Sequence, residues 1–194
     1  PNTHRGLIIG ALVVGALVLV AIVGVLIWVL TPLGPSSEAL AALESGDGVR
    51  VEQVDGGWAF TPTPSSMRLP TGLVFYPGGR VDARSYAPLA REIAAQGHTV
   101  ILTKMPLSLA VLDAQAASAF IDSDAYPWVL TWAVGGHSLG GAMAAGFAAE
   151  NPEVDGLVLL AAYATPDADL SRREIDVLDV VGTNDKVLTW ESWE

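Results

Sequence analysis

From Leu7 to Leu30 the chain runs for 24 residues without a charge or a strongly polar side chain. As a helix rising about 1.5 Å per residue, that run crosses a hydrocarbon core of about 30 Å with some tilt. It is apolar on every side, whereas a helix packed on a soluble core keeps a polar stripe. The apolar part of a cleaved signal peptide is shorter, usually about 7–15 residues. The expectation for residues 1–30 is an N-terminal flank followed by an uncleaved transmembrane anchor in the lipid bilayer. His4 and Arg5 precede the run, while Glu38, Glu44 and Asp47 come after it and before Arg50. Positive charge stays in the cytoplasm, so a single-pass protein of the cell membrane, with its globular part outside, is expected.

Residues 31–48 contain Pro32, Gly34 and Pro35 and read as a linker, with a short helical piece over Ser37–Glu44. Residues 49–194 then have the size of one domain with a real core. The formal net charge is −11 and the ten Lys and Arg residues are scattered. Phosphate binding needs clustered cations, so a nucleic-acid partner is excluded. The sequence has no cysteine, which excludes disulfides, thiolate zinc sites and a cysteine nucleophile.

Seven strands are predicted: Val49–Val54, Trp58–Thr61, Gly72–Tyr76, His98–Thr103, Trp128–Gly135, Gly156–Ala162 and Asp176–Gly182. Asp55-Gly56-Gly57 joins the first two as a hairpin. Leu73-Val74-Phe75, Val100-Ile101-Leu102 and Leu157-Val158-Leu159-Leu160 are continuous apolar runs, as in strands buried on both faces of a parallel sheet. Helical stretches are predicted over Asp82–Gln96, Leu107–Asp122 and Gly140–Glu150. Alternating strands and helices predict an α/β fold, a mostly parallel sheet with helices on both faces.

The fifth strand runs into Gly136-His137-Ser138-Leu139-Gly140, followed by Gly141-Ala142-Met143-Ala144-Ala145. This is G-x-S-x-G between a strand and a helix. A serine on such a sharp turn projects its hydroxyl above the sheet edge, and the flanking glycines permit close backbone approach. Ser138 is the candidate nucleophile. The helix that follows points its N-terminus at the site, where negative charge develops during acyl transfer. Neither G-x-G-x-x-G nor a P-loop lysine is formed here, so a nucleotide-binding reading is disfavoured.

The third strand ends in Pro77-Gly78-Gly79-Arg80. A glycine pair there can supply one backbone N–H to an oxyanion, and the N–H of Leu139 the second. Which of Gly78 and Gly79 donates is open at this level. Asp185 follows the seventh strand, 47 residues after Ser138, and fits the chain order Ser, Asp, His as the acid that orients an imidazole. Asp179 lies inside that strand and Asp155 ahead of the sixth, which makes both poorer candidates. Asp82, Arg84 and Tyr86 open the helix after the glycine pair and receive no chemical role, Asp82 serving as a helix start.

A serine nucleophile needs a general base. His4 precedes the apolar run, His98 starts a strand at the edge opposite the nucleophile, and the side chain of His137 is expected to point away from the serine hydroxyl. No histidine follows Asp185. Two expectations compete: the sequence is C-terminally incomplete, lacking a last strand, the His loop and a final helix, or the protein is a non-catalytic, membrane-tethered binding module.

Across Thr71–Asp185 the chain resembles the α/β-hydrolases, specifically the small bacterial fold-5 type. The residues that carry this are Val74-Phe75-Tyr76-Pro77-Gly78-Gly79-Arg80-Val81-Asp82, Tyr86-Ala87-Pro88-Leu89-Ala90, Lys104-Met105-Pro106, Gly135-Gly136-His137-Ser138-Leu139-Gly140-Gly141-Ala142 and Gly182-Thr183-Asn184-Asp185. The resemblance implies Ser138 as nucleophile, Asp185 as acid, and Gly78 and Gly79 near the oxyanion. It implies esterase-like hydrolysis of a small-molecule ester or acyl substrate, without a metal or organic cofactor. Oligomeric state and substrate identity are left open.

Overall fold

β1 (Val49–Val54), β2 (Gly57–Pro62), β3 (Thr71–Tyr76), β4 (Thr99–Thr103), β5 (Thr131–His137), β6 (Val154–Leu160) and β7 (Asp176–Val180) form one sheet. Their order in it is β1-β2-β4-β3-β5-β6-β7 in this computed structural model, which describes residues 2–185. β1 and β2 are the antiparallel hairpin, closed by Asp55 and Gly56, and β2 also runs antiparallel to β4. The remaining neighbours, β4-β3, β3-β5, β5-β6 and β6-β7, are parallel. From β3 the chain passes to β4 on one side and then returns to β5 on the other. That reversal opens a crevice beyond the carboxyl ends of β3 and β5, the usual ligand position in an open α/β sheet.

Residues along β3 alternate between two cores. Val74 and Tyr76 pack with Ile101, Val134 and the alanines Ala144, Ala145 and Ala148 of α5 (Leu139–Glu150). Leu73 and Phe75 pack with Val100, Leu102 and Ala87, Ala90 and Ala94 of α3 (Ala87–Ala95). Helices therefore cover both faces, and each large apolar side chain buried this way contributes about 1.5–3 kcal/mol. β7 is different: all five of its residues are exposed.

The helical stretch expected over Leu107–Asp122 is not one helix. The segment folds as single turns at Pro106–Ser108 and Ala110–Leu112 and a four-residue helix, α4 (Ser118–Ile121). Leu107 and Ser108 take φ of 51° and 55°, the left-handed region that a continuing helix does not tolerate. The backbone finds other partners: Arg80 N–H donates to the Ser108 carbonyl at 2.7 Å. The buried Tyr76 hydroxyl donates to the Ala114 carbonyl at 2.8 Å and accepts from Ala117 N–H at 2.9 Å. Periodicity cannot foresee a tyrosine from another strand claiming these groups.

Smaller differences have similar causes. β5 begins at Thr131 rather than Trp128, because Val129 N–H closes a turn on the Tyr126 carbonyl and Thr131 N–H reaches Pro70. Asp155 lies inside β6, where its carboxylate accepts from Trp132 N–H at 3.2 Å. The stretch read as a linker packs from Leu33 onward: Leu33 bridges Val81, and Ala39 and Ala42, in and just after α2 (Ser37–Ala41), are buried.

The division between compact units falls at Pro32 and Leu33. The first unit holds α1 (Asn2–Leu30), in which Ile9–Trp28 is long and apolar enough to cross a membrane. Its Leu12, Leu17 and Val20 side chains are exposed. Lys186–Glu194 lies outside the described residues.

Candidate active site

β5 ends at His137 and α5 begins at Leu139, so the whole reversal falls on Ser138. Its φ of 51° and ψ of −122° lie where side-chain-bearing residues are strained, as a nucleophile elbow requires. Ser138 N–H donates to the Leu160 carbonyl at 3.0 Å, which ties the elbow to β6. The two glycines of the motif are needed for contact. A Cβ on Gly136 would stand 2.5 Å from the Gly140 carbonyl carbon, and one on Gly140 would stand 2.4 Å from the carbonyl oxygens of Tyr76 and Pro77. The helix can thus approach both strands, leaving Ser138 exposed above them.

The loop after β3 lies against this elbow. A Cβ on Gly79 would fall 3.6 Å from the Leu139 Cβ. The N–H of Gly78 donates to the Tyr86 hydroxyl at 3.0 Å, and that hydroxyl lies 2.9 Å from His137 Nδ1. Among the described residues, no protein group accepts from the N–H of Gly79 or of Leu139. Leu139 is also the first residue of α5, where helical N–H groups lack intrahelical partners and carry the positive end of the dipole.

Ser138 and Asp185 line one cavity of about 490 Å³, together with His137, Leu139, Met143 and Tyr163. Asp185 sits in a turn after β7, its N–H donating to the Gly182 carbonyl at 2.9 Å. Burial pushes the His137 imidazole below its ordinary value, and the Asp185 charge opposes that shift without overcoming it. Asp179 lines a separate recess of about 320 Å³ beside Val177 and Leu157, where partial desolvation raises its carboxyl. His98 stays at the opposite end of the sheet, its Nδ1 against the Thr71 hydroxyl. Among the described residues, no group of three His, Asp or Glu is arranged to hold a metal ion.

The family model described as the alpha/beta hydrolase family, fold-5 type, matches residues 72–194. The chain belongs to the α/β-hydrolase family. No curated protein matches it.

In this α/β-hydrolase the structure brings Ser138, Asp185 and Leu139 to one cavity and sets Gly79 beside Leu139. It engages the Gly78 N–H elsewhere. Tyr86 and His137 are the site residues that sequence reasoning left without a role. Their signals in the sequence are position, one ten residues after β3 and the other next to the serine, and membership of the motifs that carry the resemblance.

Proposed function

We propose that this α/β-hydrolase is a membrane-tethered serine hydrolase of carboxylesterase type, with Ser138 as nucleophile and Asp185 as the acid of its triad. The observation that carries this reading is the strained, exposed Ser138 at the mouth of a cavity it shares with Asp185. The Ser138 hydroxyl adds to the acyl carbon of an ester while its proton passes to an imidazole that Asp185 orients. The resulting oxyanion accepts from Gly79 N–H and Leu139 N–H, the two donors left over in the loop and the helix start. Collapse expels the alcohol, which takes the proton from the imidazole, and water then releases the acid from Ser138 by the same route. Losing one such oxyanion donor costs about 10²–10³ in rate.

The imidazole is the unfilled role. The histidines of the sequence are His4, His98 and His137, and the Nδ1 of His137 faces Tyr86. The base in this reading is therefore a histidine that these 194 residues do not supply. A second reading takes the cavity shared by Ser138 and Asp185 as a ligand pocket, in a membrane-tethered binding module on this fold that turns nothing over.

A fluorophosphonate probe separates the two. A hydrolase labels at Ser138, and Ser138→Ala abolishes the adduct; a full-length protein that never labels is the binding module. The tether is α1, and extraction of membranes with alkaline carbonate tests it, because a protein with a spanning helix stays in the pellet.

A further inference from the structure

Tyr86 closes a single helical turn, Ala83–Tyr86, that Asp82 starts by accepting from Arg84 N–H at 3.0 Å. Its ring leans on Phe75 of β3, centroids 5.1 Å apart, and on His137 at 5.9 Å. This delivers one hydroxyl to a point between the loop after β3 and the end of β5. On one side it accepts from Gly78 N–H, and on the other it meets His137 Nδ1. A phenol oxygen that accepts one N–H still has its own proton to place, and Nδ1 of a neutral imidazole takes it. That donation goes with the His137 ring proton on Nε2, a tautomer assigned here from the hydrogen bonds rather than observed. The surroundings agree with neutral partners, since burial raises the Tyr86 phenol and lowers the His137 imidazole. A side chain at position 78 would displace this pair: a Cβ there would stand 2.6 Å from His137 Nδ1 and 3.0 Å from the Tyr86 oxygen.

We infer that Tyr86 and His137 are positioning residues for acyl transfer: the Tyr86 hydroxyl, strung between Gly78 N–H and His137 Nδ1, locks the loop after β3 to the nucleophile elbow so that Gly79 N–H and Leu139 N–H converge on one oxyanion. The inference rests on the reading of Ser138 as nucleophile. It also gives Gly78 a use: its N–H holds the loop, and Gly79 makes the donation. Neither ring needs to touch the substrate. Their effect is on geometry that matters most when charge develops, so it belongs to kcat rather than to KM.

The experiment uses the full-length protein in detergent, with a p-nitrophenyl ester for kcat and KM and a fluorophosphonate for the rate of Ser138 labelling. Tyr86→Phe keeps the ring and removes the hydroxyl. It is expected to lower kcat and the labelling rate by about 10- to 100-fold, the range a misplaced donor produces, with KM changed less than about twofold. His137→Asn places an amide oxygen near the position of Nδ1 and is expected to retain most of the activity, whereas His137→Leu falls as far as Tyr86→Phe. The double variant Tyr86→Phe/His137→Leu is expected to be no worse than either single one, since both break one link.

A Tyr86→Phe protein with wild-type kcat overturns the inference, as does a His137→Asn protein as impaired as His137→Leu. If Tyr86→Phe fails to fold, the two His137 variants decide alone. A wild-type protein that neither hydrolyses the ester nor labels removes the nucleophile reading and this inference together. Wild-type activity with an unaffected Tyr86→Phe removes only the inference.

Discussion

Gly140 packs so closely on β3 that a Cβ there would stand 2.4 Å from the carbonyl oxygen of Tyr76. Backbone on both sides cannot yield as a flexible side chain would. Gly140→Ala is expected to cost about 1–3 kcal/mol, the range for overpacking, and to shift the elbow enough to impair Ser138. Gly146, on the same helix, has nothing within 4 Å of its missing Cβ. Gly146→Ala should leave the site alone and stabilise by up to about 1 kcal/mol through helix propensity. Thermal melting of the two variants side by side checks this, and equal melting temperatures would contradict the packing argument.

Tyr76 ties β3 to the irregular segment beyond β4. Tyr76→Phe removes the acceptor of Ala117 N–H and the donor to the Ala114 carbonyl, in a buried setting. Leaving such groups unpaired costs about 1–3 kcal/mol. The expected readout is a lower denaturation midpoint, with faster amide exchange at Ala117 as the local signature.

Arg173 fastens the end of α5. Its guanidinium donates to the Asn151 carbonyl at 2.8 Å, to the Val154 carbonyl at 2.7 Å and to the Ala148 carbonyl. The carbonyls at a helix end are those the helix cannot satisfy itself. Arg173→Ala is expected to cost about 1.5–3 kcal/mol, and Arg173→Lys to recover little, because a single ammonium cannot span three carbonyls as the planar fork does. Urea denaturation of the three proteins tests the ranking.

His137 makes stability depend on pH. Burial lowers its folded value while the nearby Asp185 charge resists, and the Tyr86 phenol stays protonated throughout. The unfolded chain, titrating near 6.5, then binds the proton more readily than the folded protein. This contribution is complete above that pH, is lost as pH falls from there through the folded value, and is flat below it. The melting temperature of wild type should drop over this window more steeply than that of His137→Asn. Parallel curves would mean that the imidazole is not held neutral.

Much of the scaffold is legible from local pattern. Continuous apolar runs such as Val100-Ile101-Leu102 mark strands covered on both faces, and β4 is buried along its whole length. The Asp55–Gly56 turn and the α5 boundary were also readable, because hairpin glycines and the alanine-rich start of a helix act over a few residues. Leu107–Asp122 was misread as helix for the opposite reason: its composition suits a helix, and distant partners on Tyr76 and Arg80 outweigh that preference.

The sequence by itself pointed to a strand turning sharply into a helix at Ser138, since Gly136 and Gly140, placed between an apolar run and an alanine-rich stretch, permit the close backbone approach such a turn needs. It likewise determined an apolar span of membrane length, which depends only on residue count and polarity. Only the tertiary structure distinguishes Gly78 from Gly79. The two are adjacent and chemically identical, and what separates them is a hydroxyl on Tyr86, brought to Gly78 N–H by the packing of its ring against Phe75. Hydrogen-bond partners across elements are chosen by three-dimensional packing, which no local pattern encodes.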